Sequence, residues 1–375
     1  MKILYTNAHS HNGGGHTTYI ASLARAFQGE HQITVAAPVT SRLYQQAQQI
    51  PGVQVWNTSF STRVKPMLLE VLALRVLLQE ERFDLVHVNG SSDHRQLMLA
   101  RRGLSHSPRI VWTKHNTMPV GSLGNQMRAW AGTDGAIGVC DYVARQLMDS
   151  GYRARPVQMI RLGVDTGRFC PPSDKARAQA RRELLGELPD GVCVLGSVGG
   201  TDRAKGWLTL VQALARLPIS QRGRFRVLVA GDPLRGALKQ EMDALRMGPY
   251  VVFPGLVEDP RRILAASDVG FVLSSQEAGS YAVCESLAMG LPTLVSSAGG
   301  LPELVRDGVD GWVVPVGDVD ALRRWLLARL AGPLDGAMAA SARGRAQALF
   351  SLSECARQTM DFYRRVGARS GSASI

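Results

Sequence analysis

A chain of 375 residues exceeds the size at which a single hydrophobic core keeps growing, so two domains are the starting expectation. Hydrophobic residues make up 45% of it, enough for substantial cores, and no run of about 18 or more apolar residues offers a membrane span. The formal net charge of +12 could attract nucleic acid, an acidic substrate or an anionic membrane surface, but aromatics are only 6% and do not interleave with the basic residues, which disfavours nucleic acid.

Short apolar strands then alternate with helical patterns along the chain. Strands are expected at 2–6, 32–36, 53–56, 85–88, 109–113, 135–139 and 157–160, with helices starting near Thr17, Ser41, Pro66, Asp93, Leu123 and Tyr142. The series restarts with strands at 193–198, 226–230, 251–253, 269–273 and 292–295, and with helices near Trp207, Leu234, Arg261, Tyr281 and Leu301. Such alternation predicts an α/β fold of parallel sheets covered on both faces. The break between the series lies at 165–190, and Pro171-Pro172 before Ser-Asp-Lys marks the expected linker. Residues 1–170 and 171–349 are therefore read as two Rossmann-like domains flanking a cleft. Residues 350–366 are read as a final helix that returns to the first domain, and 367–375 as a polar tail.

The five cysteines, Cys140, Cys170, Cys193, Cys284 and Cys355, show no paired spacing of zinc or redox type and read as reduced. The amino terminus enters a strand with no charged and apolar leader, so the expected location is the cytoplasm. Charge is uneven: residues 1–170 carry 18 Lys and Arg against 10 Asp and Glu, the remainder 25 against 21. His94, Arg95, Arg101, Arg102, Arg109 and Lys114 surround the apolar Leu97, Met98, Leu99 and Leu104, a mixture suited to peripheral attachment on an anionic membrane. An ordinary solvated helix is the simpler reading of so short a segment.

Four segments could carry chemistry. His11-Asn-Gly-Gly-Gly-His16 follows the first strand, and Gly13, Gly14 and Gly15 let the backbone approach a ligand, although a flexible turn uses the same residues. His9, His11 and His16 lie around this loop with no companion carboxylate, so no metal site is expected. Thr113-Lys-His-Asn116 places Lys114 and His115 at the carboxyl end of a strand, where histidine suits hydrogen bonding or proton handling. In the second domain, Val198-Gly-Gly-Thr-Asp-Arg-Ala-Lys-Gly206 offers Arg203 and Lys205 to a phosphate, with surface solvation as the alternative. The most telling segment is Glu277-Ala-Gly-Ser-Tyr-Ala-Val-Cys-Glu285, two carboxylates either side of a small-residue turn that opens a helix after a buried-type strand. Backbone N–H groups near Gly279 and Ser280 could meet an anion there, and Glu285 could accept two hydrogen bonds from a vicinal diol.

These residues resemble glycosyltransferase family 4, the retaining nucleotide-sugar transferases with the two-domain GT-B fold. The resemblance is carried in order by Lys205-Gly206, Ala230-Gly-Asp232, Phe253-Pro-Gly-Leu256, Ala266-Ser-Asp268 and the paired glutamates. Glu285-Ser-Leu-Ala-Met-Gly-Leu-Pro292, Gly299-Gly-Leu-Pro-Glu303 and Asp307-Gly-Val-Asp-Gly311 continue it.

By that resemblance His115, Lys205 and Glu277 are the expected catalytic residues. Gly14 and Gly15 approach the donor, Lys205 holds its diphosphate, and Glu277 with the backbone of Gly279, Ser280 and Tyr281 contacts the transferred sugar and its phosphate. Glu285 grips the ribose. Three positions depart from the pattern: Gly200 stands where the family usually has Arg, with Arg203 the candidate replacement, Leu162 where it often has Asn, and Cys140 where it has a small hydroxyl.

The implied protein is a metal-independent, cofactor-free enzyme of hexosyltransferase type. Its donor is a nucleoside-diphosphate sugar, UDP-sugar by first expectation. The acceptor is a glycan or lipid-linked saccharide of bacterial cell-envelope polysaccharide or lipopolysaccharide, met at the cytoplasmic face of a membrane. A nucleotide-sugar epimerase of the same fold and a non-catalytic nucleotide-sugar-binding protein are the alternatives.

Overall fold

The computed structural model describes residues 1–11, 13–332 and 335–368, and the chain divides into two compact units. The first comprises Met1–Gly163 together with the segment from Leu352 onward, and the second Val164–Ser351.

The first unit runs β1 (Lys2–Thr6), α1 (Gly14–Phe27), β2 (Gln32–Ala37), α2 (Arg42–Gln48), β3 (Val53–Asn57), α3 (Val64–Glu81) and β4 (Leu85–Val88). It continues with α4 (Ser91–Ala100), β5 (Arg109–Lys114), α5 (Leu123–Ala131), β6 (Gly135–Gly138), α6 (Asp141–Met148) and β7 (Val157–Met159). All seven strands are parallel, in the order β3-β2-β1-β4-β5-β6-β7. Ile3, Leu4 and Tyr5 of central β1 are wholly buried because helices cover both faces, which is why the strand reads as a continuous apolar run.

The second unit begins with α7 (Asp174–Leu185), β8 (Cys193–Ser197), α8 (Trp207–Ala215), α9 (Ile219–Arg222), β9 (Phe225–Val229), α10 (Gly236–Ala244) and β10 (Val251–Val252). It continues with α11 (Arg261–Ala266), β11 (Val269–Val272), α12 (Tyr281–Ala288), β12 (Thr293–Ser296), β13 (Gly311–Val314), α13 (Val319–Arg329) and α14 (Gly336–Leu349). Its six parallel strands lie in the order β10-β9-β8-β11-β12-β13. Two apolar clusters sandwich this sheet, one around Val283, Leu287 and Phe350 and the other around Trp207, Phe225 and Phe271.

The last helix, α15 (Leu352–Ala368), belongs to the first unit and packs on α1 and β5. Gly135 and Gly163 let it approach: a Cβ on Gly135 would stand 2.7 Å from a Val366 methyl, and one on Gly163 2.6 Å from Cys355 Cβ. Buried Tyr363 shares hydrogen bonds with Tyr5, at 3.1 Å, and with His87. From residue 369 the expected tail lies outside the described residues.

Pro171-Pro172, expected as the linker, sits inside the second unit. Ser173 caps α7 by accepting the Ala176 N–H at 3.3 Å, and Arg177 and Arg181 of that helix both pair with Asp268. Pro-Pro-Ser-Asp is thus a helix start, in which Ser173 caps the first turn and Asp174 puts a carboxylate at its positive end. The units part instead at Gly163, and Val164, the next residue, bonds to Phe350 within the second unit.

Candidate functional site

Each sheet reverses its strand order once, and open α/β sheets bind ligands at such points, outside the carboxyl ends of the strands. In the first sheet the reversal lies between β1 and β4, in the second between β8 and β11. The sequence-expected residues fall at these two edges.

In the second unit the loop after β8 ends in a short helical turn, Arg203–Lys205. Gly206 follows with φ +73°, and a Cβ there would lie 1.9 Å from the Leu273 carbonyl oxygen, so only glycine lets this turn rest on the end of β11. The Ser275 N–H donates to the Ala204 carbonyl at 2.9 Å and closes the contact. This brings Lys205 Nζ to Glu277 Oε2 at 2.9 Å, and Ser274 Oγ donates to the same oxygen at 3.1 Å. Among the described residues Glu277 is the one hydrogen-bond partner of the ammonium, so its remaining protons can meet a ligand.

Glu277 is followed at once by the start of α12. Ser280 is its N-cap residue in extended conformation and its side chain makes no capping hydrogen bond, so the positive end of the helix lies beside the Lys205–Glu277 pair without a serine cap. Glu285 lies one turn further along, 9% exposed. Burial pushes its carboxyl up to about 8, with Arg168 pulling it down and Asp259 pushing it up by lesser amounts. A diol donating two hydrogen bonds would favour the ionised carboxylate there.

Arg203 is not brought to this pair. It is exposed and forms an ion pair with Glu241 of α10. Gly200 has φ +98°, a conformation that an arginine would adopt only under strain. Beside it a cavity of about 410 Å³ is lined by Thr201, Asp202, Asp232, Pro233, Leu234 and Arg235.

At the edge of the first sheet a cavity of about 380 Å³ is lined by residues following β1, β4 and β5, among them Asn7, His9, His16, Asn89, His115 and Asn116. Asn89 is held from below: its Nδ2 donates to the carbonyls of Thr6 (3.2 Å) and His87 (3.3 Å), and its N–H donates to Asp93 at 3.0 Å. Its Oδ1 therefore faces His115 Nε2 at 2.9 Å, which assigns the imidazole proton to Nε2 and makes Nδ1 the acceptor.

The His16 and His115 ring centroids are 4.4 Å apart, and those of His9 and His16 4.7 Å. Burial, reinforced by the neighbouring rings, pushes His115 well below the ordinary histidine range, and burial with His9 pushes His16 down to about 4. His16 and His115 are therefore neutral at physiological pH. Among the described residues no group of His, Cys, Asp or Glu is arranged to hold a metal ion.

Gly14 and Gly15 begin α1 and are exposed, Gly14 with φ +49°. The glycine with the tightest requirement is Gly13, φ +65°, whose Cβ would stand 2.4 Å from Thr17 Oγ1. Lys114, expected at the ligand edge, points inward instead. It is 1% exposed, and its ammonium donates to the carbonyls of Asn116 (2.5 Å) and Met118 (2.7 Å) and to Asn116 Oδ1 (3.0 Å). The segment expected on a membrane is only partly exposed: His94 and Leu97 are wholly buried, whereas Leu99 and Arg102 face solvent. Cys140 caps α6 by accepting the Val143 N–H at 3.4 Å, the task a small hydroxyl would perform, and Leu162 is a core residue. Asn89, not singled out from the sequence, was marked only by its position between a strand and Gly90.

Two parallel-sheet Rossmann-like units, each with polar groups gathered at its switch point, define the GT-B class of glycosyltransferase folds. Residues 13–168 match the model of Glycosyltransferase Family 4 and residues 192–331 that of Glycosyl transferases group 1, and the chain belongs to this family.

Among relatives, it is 33% identical over 251 residues to a D-inositol 3-phosphate glycosyltransferase of Nocardioides sp., a match covering 61% of this chain and 53% of that protein. The chain thus spans about half the length of that relative. It is 27% identical over 363 residues to a GDP-mannose-dependent alpha-(1-6)-phosphatidylinositol monomannoside mannosyltransferase of Mycobacterium tuberculosis, covering 92% of each. Among solved structures, Anabaena Alr3699/HepE in complex with UDP and glucose superposes with a TM-score of 0.80 at 20% identity, over 96% of this chain and 99% of that one.

Proposed function

We propose that the chain is a retaining glycosyltransferase that moves a hexose from a nucleoside-diphosphate donor to a glycan or lipid-linked saccharide of the bacterial cell envelope. The observation that carries the reading is the Lys205–Glu277 pair at the second sheet's switch point, beside the start of α12. A diphosphate leaving group needs positive charge where its own negative charge develops, and an ammonium with a helix N-terminus supplies it without a metal.

In this reading Lys205 and the backbone of Gly279, Ser280 and Tyr281 hold the diphosphate. Glu277 orients both the ammonium and a sugar hydroxyl, and Glu285 holds the ribose diol. Gly14 and Gly15 admit the donor closely, and His115 offers Nδ1 as an acceptor to a donor or acceptor hydroxyl. The sugar's anomeric C–O bond to phosphate breaks, its electron pair leaving with the nucleoside diphosphate. The acceptor oxygen then bonds the same face of that carbon and its proton passes to the departing phosphate, so no protein nucleophile is needed.

The mannosyltransferase relative is GDP-mannose-dependent and the Anabaena structure contains UDP, so UDP-sugars and GDP-mannose are the two donor classes to compare. The phosphatidylinositol monomannoside in the relative's name supports a lipid-linked acceptor.

The test is release of nucleoside diphosphate from a donor panel, with and without membrane glycolipid, by the native protein and by Glu285→Ala. Acceptor-dependent release from one donor, weakened in the variant, is expected. Conversion of donor without acceptor would replace the reading with an epimerase. A donor-induced rise in Tm with no turnover on any acceptor would replace it with a binding protein.

A further inference from the structure

Large apolar side chains stand in solvent on two helices of the first unit. On α5, Leu123, Met127 and Trp130 follow the spacing i, i+4, i+7 and are 73%, 55% and 80% exposed, with Met118 in the preceding loop also exposed. On α3, Val64, Leu68, Leu72 and Val76 repeat every four residues, Leu69 beside them, and all are exposed. Helix α4 packs against both α3 and α5, so the three form one layer on the sheet. An isolated exposed leucine means nothing, but two such stripes in one layer exceed what a surface needs.

The charge of this region selects the occupant. Of the basic residues around α5, Arg101 and Arg109 are paired with Asp134 and Lys114 is buried on loop carbonyls, so these three add no free charge to this face. Arg102 and Arg153 are exposed, and Arg155 donates to the carbonyls of Ala129, at 3.2 Å, and of Trp130, holding a guanidinium at the end of α5. Across the chain, Met1–Gly163 with the segment from Leu352 carries 21 Lys and Arg against 11 Asp and Glu, whereas Val164–Ser351 carries 22 against 20.

We infer that the outer face of α5, with Leu123, Met127 and Trp130 as its anchors, docks on an anionic lipid bilayer. Indole and thioether groups settle at the boundary between headgroups and acyl chains, while the arginines around them meet lipid phosphates. A second copy of the chain is a poor occupant, because a two-fold interface through this face would set two basic surfaces against each other. Of the sequence-expected membrane segment, α4 turns His94 and Leu97 inward while the loop after it keeps Arg102 exposed, and the apolar anchors move to the neighbouring helix. The inference goes beyond the proposed transfer reaction, and its vesicle-binding readout uses no donor, turnover entering only as a control on the variant.

The experiment is co-sedimentation with vesicles of phosphatidylcholine alone and of phosphatidylcholine mixed with phosphatidylglycerol, at low and high salt. The native protein is expected on the mixed vesicles and to leave them as salt rises. Met127→Ser with Trp130→Ser is expected to weaken binding at least tenfold while Tm and nucleoside-diphosphate release with a soluble acceptor stay unchanged. Arg102→Glu with Arg153→Glu, at exposed sites that leave the core intact, is expected to abolish the preference for the mixed vesicles. The inference falls if the native protein ignores mixed vesicles at low salt, binds pure phosphatidylcholine equally, or keeps its affinity in the serine variant. It falls also if sedimentation velocity shows a dimer that the serine variant dissolves.

Discussion

At the edge of the first sheet, His9, His16 and His115 pack ring against ring around a cavity, and burial keeps His16 and His115 uncharged. At the same edge of the second sheet Lys205 and Glu277 form an ion pair, with 31% and 16% of their side chains exposed. One topology thus presents neutral hydrogen-bonding groups in one unit and formal charge in the other. The difference fits a division of labour: hydroxyl groups suit the first edge, a diphosphate the second.

The sharpest way to break this comparison is Lys205→Ala. It removes the cation and leaves the Glu277 carboxylate, among the described residues, with only the Ser274 hydroxyl. On the model of losing one preorganised transition-state donor, kcat/KM should fall roughly 10²–10³-fold, and Lys205→Arg should recover part of it. A steady-state assay of nucleoside-diphosphate release decides, and a loss under threefold would mean the second edge does not hold the diphosphate.

Gly206→Ala asks whether the same edge depends on its backbone. The added Cβ would overlap the Leu273 carbonyl at 1.9 Å in a residue with φ +73°, so the turn must shift off β11. A cost of about 2–3 kcal/mol and a Tm several degrees lower are expected, with donor affinity falling alongside. Calorimetry with and without donor separates the two effects.

That glycine shows how much was legible in the sequence. The parallel α/β alternation was readable because strands buried on both faces are unbroken apolar runs, as with Ile3, Leu4 and Tyr5. Lys205 and Glu277 were readable because each follows such a run at a turn. Strand β13 and helices α13 and α14 went unmarked, and α7 was hidden under a linker reading of Pro171-Pro172, since local punctuation marks a helix start and a loop with the same residues. Whether a charged side chain turns outward is set by tertiary geometry. Lys114 and His115 are adjacent, yet the lysine is spent on loop carbonyls and the histidine on the cavity.

His115 sharpens the neutral side of the comparison. Because burial and the surrounding rings hold its pKa well below the ordinary value, protonation does not begin as pH falls through 6.5. The pH profile of kcat should therefore show no inflection there, whereas an exposed catalytic histidine would give one. His115→Gln, which keeps a donor toward Asn89, should retain more activity than His115→Ala, the latter losing roughly tenfold or more in kcat with a smaller change in donor KM.

A subtler effect is expected at Glu285. Its pKa in the folded chain, about 8, lies above the unfolded value, so the folded state holds the proton more tightly. The stabilisation this gives is full below about pH 4.5 and is lost as pH rises towards 8. The unliganded protein should lose a few degrees of Tm across that window, and Glu285→Gln should flatten the slope while weakening donor binding roughly tenfold. Thermal melts at several pH values check the sign. A Tm that rose across the same window would contradict the buried carboxyl.

Arg203→Ala is the smallest expected change and the test of what the sequence proposed for the missing family arginine. The guanidinium is 58% exposed and its partner Glu241 is 43% exposed, a pair of the kind worth at most about 1 kcal/mol. If Arg203 stays with Glu241 when donor binds, Tm should be unchanged within about a degree and donor affinity within threefold. Glu241→Gln should be equally silent. If instead Arg203 leaves Glu241 to serve the diphosphate in place of an arginine at Gly200, the two variants part company. Arg203→Ala would then weaken donor binding tenfold or more, while Glu241→Gln would strengthen it by releasing the guanidinium. Calorimetric titration of both variants with the nucleoside diphosphate alone therefore reads directly whether the second edge works with one cation or two.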